Sequence, residues 1–205
     1  AFAEYQTAVM YIDPSGGGND ETAYAVVKAL NGSLYLLAAG GWTGGHSEAV
    51  MKKLAGIAAM HNLKRITVET NFGDGMFEKL LQPVMSKYCG PVQIDSRRST
   101  GQKELRILDT LEPLIASHRL VVDTKVAKDQ ILMTQLTRIT RERGSLKHDD
   151  RIEAVAGACA ELSDLVVLDP EVRALEQADA MKRKMAEDWV AAAKGEGGWN
   201  SGRFS

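Results

Sequence analysis

The 205-residue chain has few cysteines, no excess of either charge and no long apolar segment. Cys89 and Cys159 lie far apart and form no C-x-x-C pair, so we expect reduced, buried thiols in a cytosolic protein. No run reaches the roughly 18 apolar residues that a membrane span requires, and no signal peptide opens the chain. The net charge of −2 does not by itself indicate nucleic-acid binding.

Two common kinds of site are also missing. No G-x-x-x-x-G-K-[ST] occurs, and the glycine-rich residues 15–20 lead into a strand instead of a helix, which excludes a P-loop in this chain. The histidines at positions 46, 61, 118 and 148 show no zinc-ligand spacing with the cysteines. The first residue is alanine, so we expect a domain taken from a longer protein, or a processed chain.

What the sequence does contain is enough apolar residues, 44%, for one substantial core. Three β-prone runs open the chain, and Asn31-Gly32 between the second and third is a strong hairpin signal. We therefore predict an antiparallel meander of three strands, at residues 7–12, 22–30 and 33–39.

Helical and strand patterns then alternate. Helices are predicted at 47–61, 75–88, 102–118 and 149–165, with short strands at 65–69 and 92–94. Pro113 should bend or divide the third helix. Between residues 119 and 147 the pattern fits a short strand followed by a helix, a hairpin or both.

The end of the chain is predicted to form a separate region. Asp169-Pro170 should cap a final helix over 171–194, and the residues after it have little to bury. We predict one main domain at 1–168, followed by a C-terminal helix and flexible tail at 169–205.

The order of elements, β-β-β-α-β-α-β-α, predicts the fold class. Three antiparallel strands followed by strands joined through helices give an α/β fold, in which a mixed sheet is flanked by helices. The ribonuclease H-like arrangement has this order of elements.

Acidic residues stand at the ends of predicted elements. Asp13 ends the first strand and Glu69 the fourth, and two parallel neighbours would bring both carboxylates to one edge of the sheet. Asp149 and Asp150 begin the helix at 149–165, with Glu153 one turn after Asp150. Such a cluster persists only if cations neutralise it, and oxygen ligands suit Mg²⁺ or Mn²⁺. Two such ions about 4 Å apart support phosphodiester cleavage, and the glycines after Asp13 would let backbone approach a phosphate.

Each acid also has an ordinary explanation. Asp13 can be a turn residue or helix cap, Glu69 an exposed strand-end acid, and acids at 149–150 suit a helix start through its dipole. His148 either supports the acids or lies on the surface. Asp74, in a G-D-G turn, either orients a ligand or turns the chain, and we favour the turn.

Two basic segments, at 97–106 and 138–147, flank the predicted acidic cluster. A solvated helix face explains either segment alone. Together they are candidates for phosphate-backbone contacts, which carry affinity without sequence preference. The predicted DNA-binding residues are Arg97, Arg98, Lys103, Arg106, Arg141, Arg143 and Lys147.

Four stretches in order resemble the C-terminal nuclease domain of the large terminase subunit of tailed bacteriophages, particularly short-tailed phages. They are YIDPSGGGNDET, TVETNFGDGMF, GQKELRILDTLEP with HRLVVD, and QLTRITRERGSLKHDDRIEAVA. They span about residues 8–160.

The resemblance implies a ribonuclease H-like fold and a metal-dependent, largely sequence-nonspecific endonuclease that cuts concatemeric double-stranded DNA during packaging. Asp13, Glu69 and Asp150 match the family's three acidic motifs and would hold two Mg²⁺ or Mn²⁺ ions. Asp149 and Glu153 remain alternatives for the third ligand.

The same resemblance implies partners and a location. The implied partners are double-stranded DNA, the capsid portal, the small terminase subunit and an N-terminal ATPase domain that is not found in this chain. The tail at 171–205 would bind the portal. The expected location is the host cytoplasm during phage assembly. Alternative functions are a docking module for partner proteins, or a junction resolvase or 3′-exonuclease on the same scaffold.

Overall fold

The computed structural model of the chain describes residues 4–16, 20–70 and 75–163. Its strands are β1 (Thr7–Asp13), β2 (Thr22–Leu30), β3 (Ser33–Trp42), β4 (Arg65–Glu69), β5 (Gln93–Arg97) and β6 (Leu120–Val122). Its helices are α1 (Glu48–Met60), α2 (Met76–Tyr88), α3 (Lys103–Ala116), α4 (Gln130–Arg138) and α5, described over residues 150–163. A single 3₁₀ turn, Val126–Lys128, precedes α4.

The strands form one mixed sheet in the order β5-β4-β1-β2-β3-β6. The β1, β2 and β3 strands are antiparallel, as predicted, and Asn31 and Gly32 turn the second hairpin with positive φ angles of 49° and 65°. The β1–β4, β4–β5 and β3–β6 pairs are parallel. The predicted fold class, a ribonuclease H-like mixed sheet with flanking helices, is confirmed.

Helices cover both faces of the sheet. Successive side chains of β1 point to opposite faces, so Met10 and Ile12 pack with α1 and α2, whereas Val9 and Tyr11 pack with α3, α4 and α5. Burial on both faces explains why β1 is an almost continuous apolar run. The face that carries Tyr11 is the one on which the acidic side chains are found below.

Two local details of the structure refine the predictions. Of the two effects expected of Pro113, division of α3 does not occur, since the helix runs from Lys103 to Ala116 with the proline in its last turn. β3 extends to Trp42, past its predicted end at residue 39, and so includes Gly40 and Gly41. A Cβ on Gly41 would lie 2.6 Å from the Glu21 carboxylate, so glycine is needed there for close packing.

Both cysteines are free in the structure. Cys159 is buried, as expected, whereas Cys89 is only half-buried. Among the helices of the described residues, none is long and apolar enough to cross a membrane. The predicted helix at 171–194, the tail and Asp74 lie outside the described residues, and the domain division at 168/169 stays a prediction.

Candidate metal centre

The sheet brings Asp13 and Glu69 together, as the strand ends predict. In the parallel β1–β4 pair Ile12 lies opposite Val68, so the next residues, Asp13 and Glu69, end adjacent strands at one edge. Helix α5 covers this face of the sheet and adds Glu153. Carboxylate oxygens of Asp13, Glu69 and Glu153 lie within 4.8 Å of one another. These three residues are called the acidic cluster below.

The other acids at the start of α5 have different surroundings. Asp150 lies in a second, more exposed group with Asp20 and His148, whose ligand atoms are also within 4.8 Å of one another. Asp149 forms an ion pair with Lys103 at 3.0 Å. The structure thus brings Glu153 to Asp13 and Glu69, and places Asp150 beside them; which of the three acids in 149–153 ligates a metal stays a prediction.

Burial and like charge act together in the acidic cluster. Glu69 and Glu153 are only 2% and 3% exposed. Burial, followed by the charges of Glu153 and Glu69, raises the pKa of Asp13 well above its ordinary value. Burial and the negative charge of Glu69 likewise raise the pKa of Glu153. Burial also raises the pKa of the neighbouring Asp150. Full ionisation of these carboxylates is therefore costly without additional positive charge nearby.

Two cations from α3 supply part of that charge. Lys103 Nζ lies 2.5 Å from Glu153 Oε2, and Arg106 Nη2 lies 2.7 Å from Glu153 Oε1. Arg106 Nη2 is also 3.9 Å from Glu69 Oε1. Burial lowers the pKa of Lys103, but the ion pairs with Glu153 and Asp149 raise it by more, so that the pKa is raised overall. Lys103 and Arg106 were predicted as DNA contacts, and the structure places them against the acidic cluster.

Contacts that the sequence analysis missed fix the beginning of α5. The Arg151 guanidinium donates to both carboxylate oxygens of Glu21, at 2.7 and 2.8 Å, and to Asp129 at 2.6 Å. The side-chain oxygen of Gln135, in α4, accepts from the backbone N–H of Ile152 at 3.0 Å. These bonds join α5 to the start of β2 and to α4, and so set the position of the acids at 149–153. No short motif marks them, because their partners are distant in sequence.

The remaining basic residues lie around a cavity and on the surface. Arg97 is paired with Glu161, and Arg141 with Asp109 and Glu112. A cavity of about 420 Å³ opens beside the acidic cluster. Its lining includes Tyr11, Arg97, Arg98, Arg106, Glu153 and Gly157. Arg98, Arg143 and Lys147 are exposed.

The donor set fits a divalent cation. Its ligand atoms are all carboxylate oxygens, which Mg²⁺ and Mn²⁺ prefer. The raised pKa values of Asp13 and Glu153 are what a cluster lacking part of its neutralising charge should show. The arrangement can therefore hold a hard cation at the sheet edge.

Comparison with known proteins agrees with this geometry. A family model described as "Terminase Bacteriophage T7, Ribonuclease H-like domain" matches residues 12–120. The large terminase subunit of Enterobacteria phage T3 is 42% identical over 166 aligned residues, covering 74% of this chain and 28% of that protein. The chain thus spans little more than a quarter of the length of this relative.

Solved structures show the same fold at low identity. The manganese-soaked human cytomegalovirus terminase nuclease domain aligns with a TM-score of 0.56 at 16% identity, covering 80% of this chain and 87% of that one. A mutant nuclease domain of the phage Sf6 large terminase, with calcium, aligns with a TM-score of 0.55 at 14% identity, covering 77% of this chain and 90% of that one. The zinc-bound large terminase nuclease of thermophilic phage G20c aligns with a TM-score of 0.54 at 13% identity, covering 75% of this chain and 81% of that one. The chain belongs to the family of ribonuclease H-like domains of T7-type phage terminase large subunits.

Proposed function

We propose that this domain is the metal-dependent endonuclease of a phage packaging terminase and cuts concatemeric double-stranded DNA with little sequence preference. The observation that carries the proposal is the meeting of Asp13, Glu69 and Glu153, from two strands and a helix, at one edge of the sheet. The relatives described as terminase nuclease domains, some solved with manganese, calcium or zinc, support it.

In this proposal Asp13 and Glu69 hold the metal together with an acid from the start of α5. Asp150 is the third ligand that the family's motif suggests, Glu153 is the acid within the cluster, and Asp149 is the remaining alternative. A bound pair of Mg²⁺ or Mn²⁺ ions would activate water for in-line attack on phosphorus and stabilise the leaving oxygen, giving a 3′-hydroxyl and a 5′-phosphate. The sheet and α5 hold the carboxylates in fixed orientations, which reduces reorganisation during the reaction.

Lys103 and Arg106 have a different role in this proposal from the other basic residues. Because both contact Glu153, they neutralise and orient the acidic cluster. The exposed residues Arg98, Arg143 and Lys147 are the better candidates for binding backbone phosphates. Arg97 and Arg141 are already paired with acidic side chains, which makes them weaker candidates for this role.

The wider assembly is also part of the proposal. The T3 relative is a large terminase subunit of which this chain covers 28%. We infer that the domain acts with an ATPase domain of the same subunit, with the capsid portal and with the small terminase subunit, in the host cytoplasm during phage assembly.

Incubation of closed-circular plasmid with the domain and Mn²⁺ tests the activity. We expect nicked and then linear products, full inhibition by chelator, and no cleavage by a folded Asp13→Asn variant. Glu48→Gln is the matched control, because this α1 carboxylate is 74% exposed and pairs with Lys52. Cleavage of closed circles also separates an endonuclease from an exonuclease, which needs an end. Binding of partner proteins without any cleavage would favour the docking-module alternative.

A further inference from the structure

Tyr11 lies directly beneath the acidic cluster and contacts one of its members. The residue is in the middle of β1 and is 1% exposed. It precedes Asp13 by two positions, so both side chains point to the same face of the sheet. The Tyr11 hydroxyl donates to Glu69 Oε2 at 3.1 Å, across the β1–β4 pair. A buried tyrosine thus holds one carboxylate oxygen of a proposed metal ligand.

A glycine in α5 makes room for this tyrosine. A Cβ atom on Gly157 would lie 2.5 Å from two carbons of the Tyr11 ring, a separation that real Cβ atoms essentially never show. Gly157 follows Glu153 by one helical turn, so the two residues lie on the same face of α5. The helix therefore approaches the sheet closely enough for Glu153 to join the cluster only because residue 157 has no side chain.

We propose that Tyr11 is a positioning residue that orients the Glu69 carboxylate for cation binding, and that Gly157 leaves the space that the Tyr11 ring occupies. This inference rests on the metal centre of the proposed function and adds two residues to it. Tyr11 does not touch the metal or the substrate in this scheme, and it acts through Glu69.

The chemistry of a phenol suits this task. A lysine or arginine at position 11 would also hold Glu69, but its positive charge would compete with the cation for the carboxylate. The Tyr11 hydroxyl is a neutral donor and leaves the negative charge of Glu69 in place. Since the hydroxyl occupies Oε2, rotation of the carboxylate is restricted and Oε1 keeps a defined direction. Partners that orient metal ligands in this way are typically worth about 10- to 100-fold in metal affinity.

The first test is Mn²⁺ affinity, measured by calorimetry on the wild-type chain and on Tyr11→Phe, which removes only the hydroxyl oxygen. We expect Mn²⁺ binding to weaken by about 10- to 100-fold, with an unchanged circular dichroism spectrum. Tyr35→Phe is the matched control, because Tyr35 is also a strand tyrosine, but it is half-buried, packs against Tyr5 and lies outside the acidic cluster. It should leave Mn²⁺ affinity unchanged.

A second pair of variants asks whether Tyr11 acts through Glu69. Glu69→Asp keeps the charge but withdraws the carboxylate by one methylene, out of reach of the hydroxyl. In that background the change of Tyr11 to Phe should alter Mn²⁺ affinity by less than about twofold, because the bond it removes is already lost. Equal losses in both backgrounds, or no loss in the Tyr11→Phe single variant, would overturn the inference.

Glycine substitutions test the space above the ring. Gly157→Ala should displace Tyr11 and weaken Mn²⁺ binding, whereas Gly56→Ala, in α1, meets nothing within 4 Å and should not. Wild-type affinity for Mn²⁺ in the Gly157→Ala variant would contradict the role given to Gly157.

The results also separate this inference from the proposed function. A wild-type chain that binds Mn²⁺ but cuts no DNA would refute the nuclease and leave the role of Tyr11 supported by the affinity data. A chain that cuts DNA, with Mn²⁺ affinity insensitive to Tyr11→Phe, would refute only the role of Tyr11. A chain that binds no Mn²⁺ would overturn both.

Discussion

Replacing Asp13 with asparagine should stabilise the metal-free domain and at the same time remove its response to metal. The side chain ends β1 next to two buried carboxylates, and its pKa is raised by burial and by the charges of Glu153 and Glu69. A neutral amide of the same shape relieves the repulsion without creating a cavity. An ordinary structural aspartate would behave in the opposite way, because its loss would leave partners unsatisfied.

The size of the effect follows from the distances. Carboxylate oxygens of Asp13, Glu69 and Glu153 lie within 4.8 Å of one another, which corresponds to a repulsion of about 3 kcal/mol for each ionised pair at an effective dielectric constant of about 20. Lys103 offsets part of this repulsion. We therefore expect the free energy of unfolding to rise by about 1–3 kcal/mol, and Tm by about 2–12 °C for a chain of this size.

The dependence on pH has a definite sign. In the folded protein the pKa of Asp13 is raised above its unfolded value, so the folded state binds more protons between the two values. The stability that proton binding by Asp13 gives the folded state is fully present below the unfolded pKa, near 4, and is lost as the pH rises through the folded pKa. The stabilisation by Asp13→Asn relative to the wild type should therefore grow as the pH rises from about 4 through the raised pKa of the folded state.

Thermal unfolding with chelator or with Mn²⁺, across that pH range, measures both effects. Wild-type protein at an Mn²⁺ concentration about 100 times Kd should gain about 2.7 kcal/mol, and Asp13→Asn should gain little of it. Glu48→Gln, which removes an exposed charge, should show the wild-type response. A lower Tm for metal-free Asp13→Asn, or a full Mn²⁺ response in that variant, would refute the view of this site as an under-neutralised cation cluster.

Three further predictions follow from other contacts. Arg151→Gln should lower the free energy of unfolding in urea by about 2–4 kcal/mol, because it leaves the carboxylates of two largely buried partners without their cation. The control Arg141→Gln, at exposed pairs, should leave the free energy of unfolding nearly unchanged. Arg98→Ala should weaken DNA binding equally for unrelated sequences and reduce the slope of log K against log salt by about 1; a sequence-dependent loss would contradict a phosphate contact. Burial raises the pKa of Cys159 to about 12, so this thiol should resist iodoacetamide at about pH 8 until the protein unfolds, which peptide mass spectrometry would show; rapid native labelling would count against its burial.

The sequence predicts much of the sheet because its signals there are local. The β-prone apolar runs and the turn chemistry of Asn31-Gly32 specify the meander. An acid at the end of each of two buried strands places Asp13 and Glu69 together once the strands are adjacent and parallel. The extension of β3 was missed because Gly40 and Gly41 resemble loop residues. Their requirement for glycine comes from neighbours on β2 and before it, such as Glu21, which no local pattern reveals.

The acids of α5 show where sequence-based prediction ends. Periodicity places Asp149, Asp150 and Glu153 within one turn of a helix, but the rotation of that helix about its axis decides which of them faces the sheet. Contacts distant in sequence set the rotation, namely the close approach of Gly157 to Tyr11 and the bonds of Arg151. The contacts of Lys103 and Arg106 with Glu153 were not predicted, for the same reason. A positive charge on a helix is visible in the sequence, whereas the carboxylate it faces depends on how α3 packs against α5.

The balance of charge in the cluster argues that the acids are kept for function. The acidic cluster and the neighbouring Asp149 would carry four negative charges when ionised. The cations that contact these four acids from α3 are Lys103 and Arg106. Buried like charges destabilise a fold, and apolar residues of similar volume would serve the core better. Functional sites commonly contain residues that destabilise the fold, and buried acids at the ends of two central strands are residues of this kind. A bound divalent cation would supply further positive charge, so the same residues that weaken the metal-free domain would become stabilising with the ion in place.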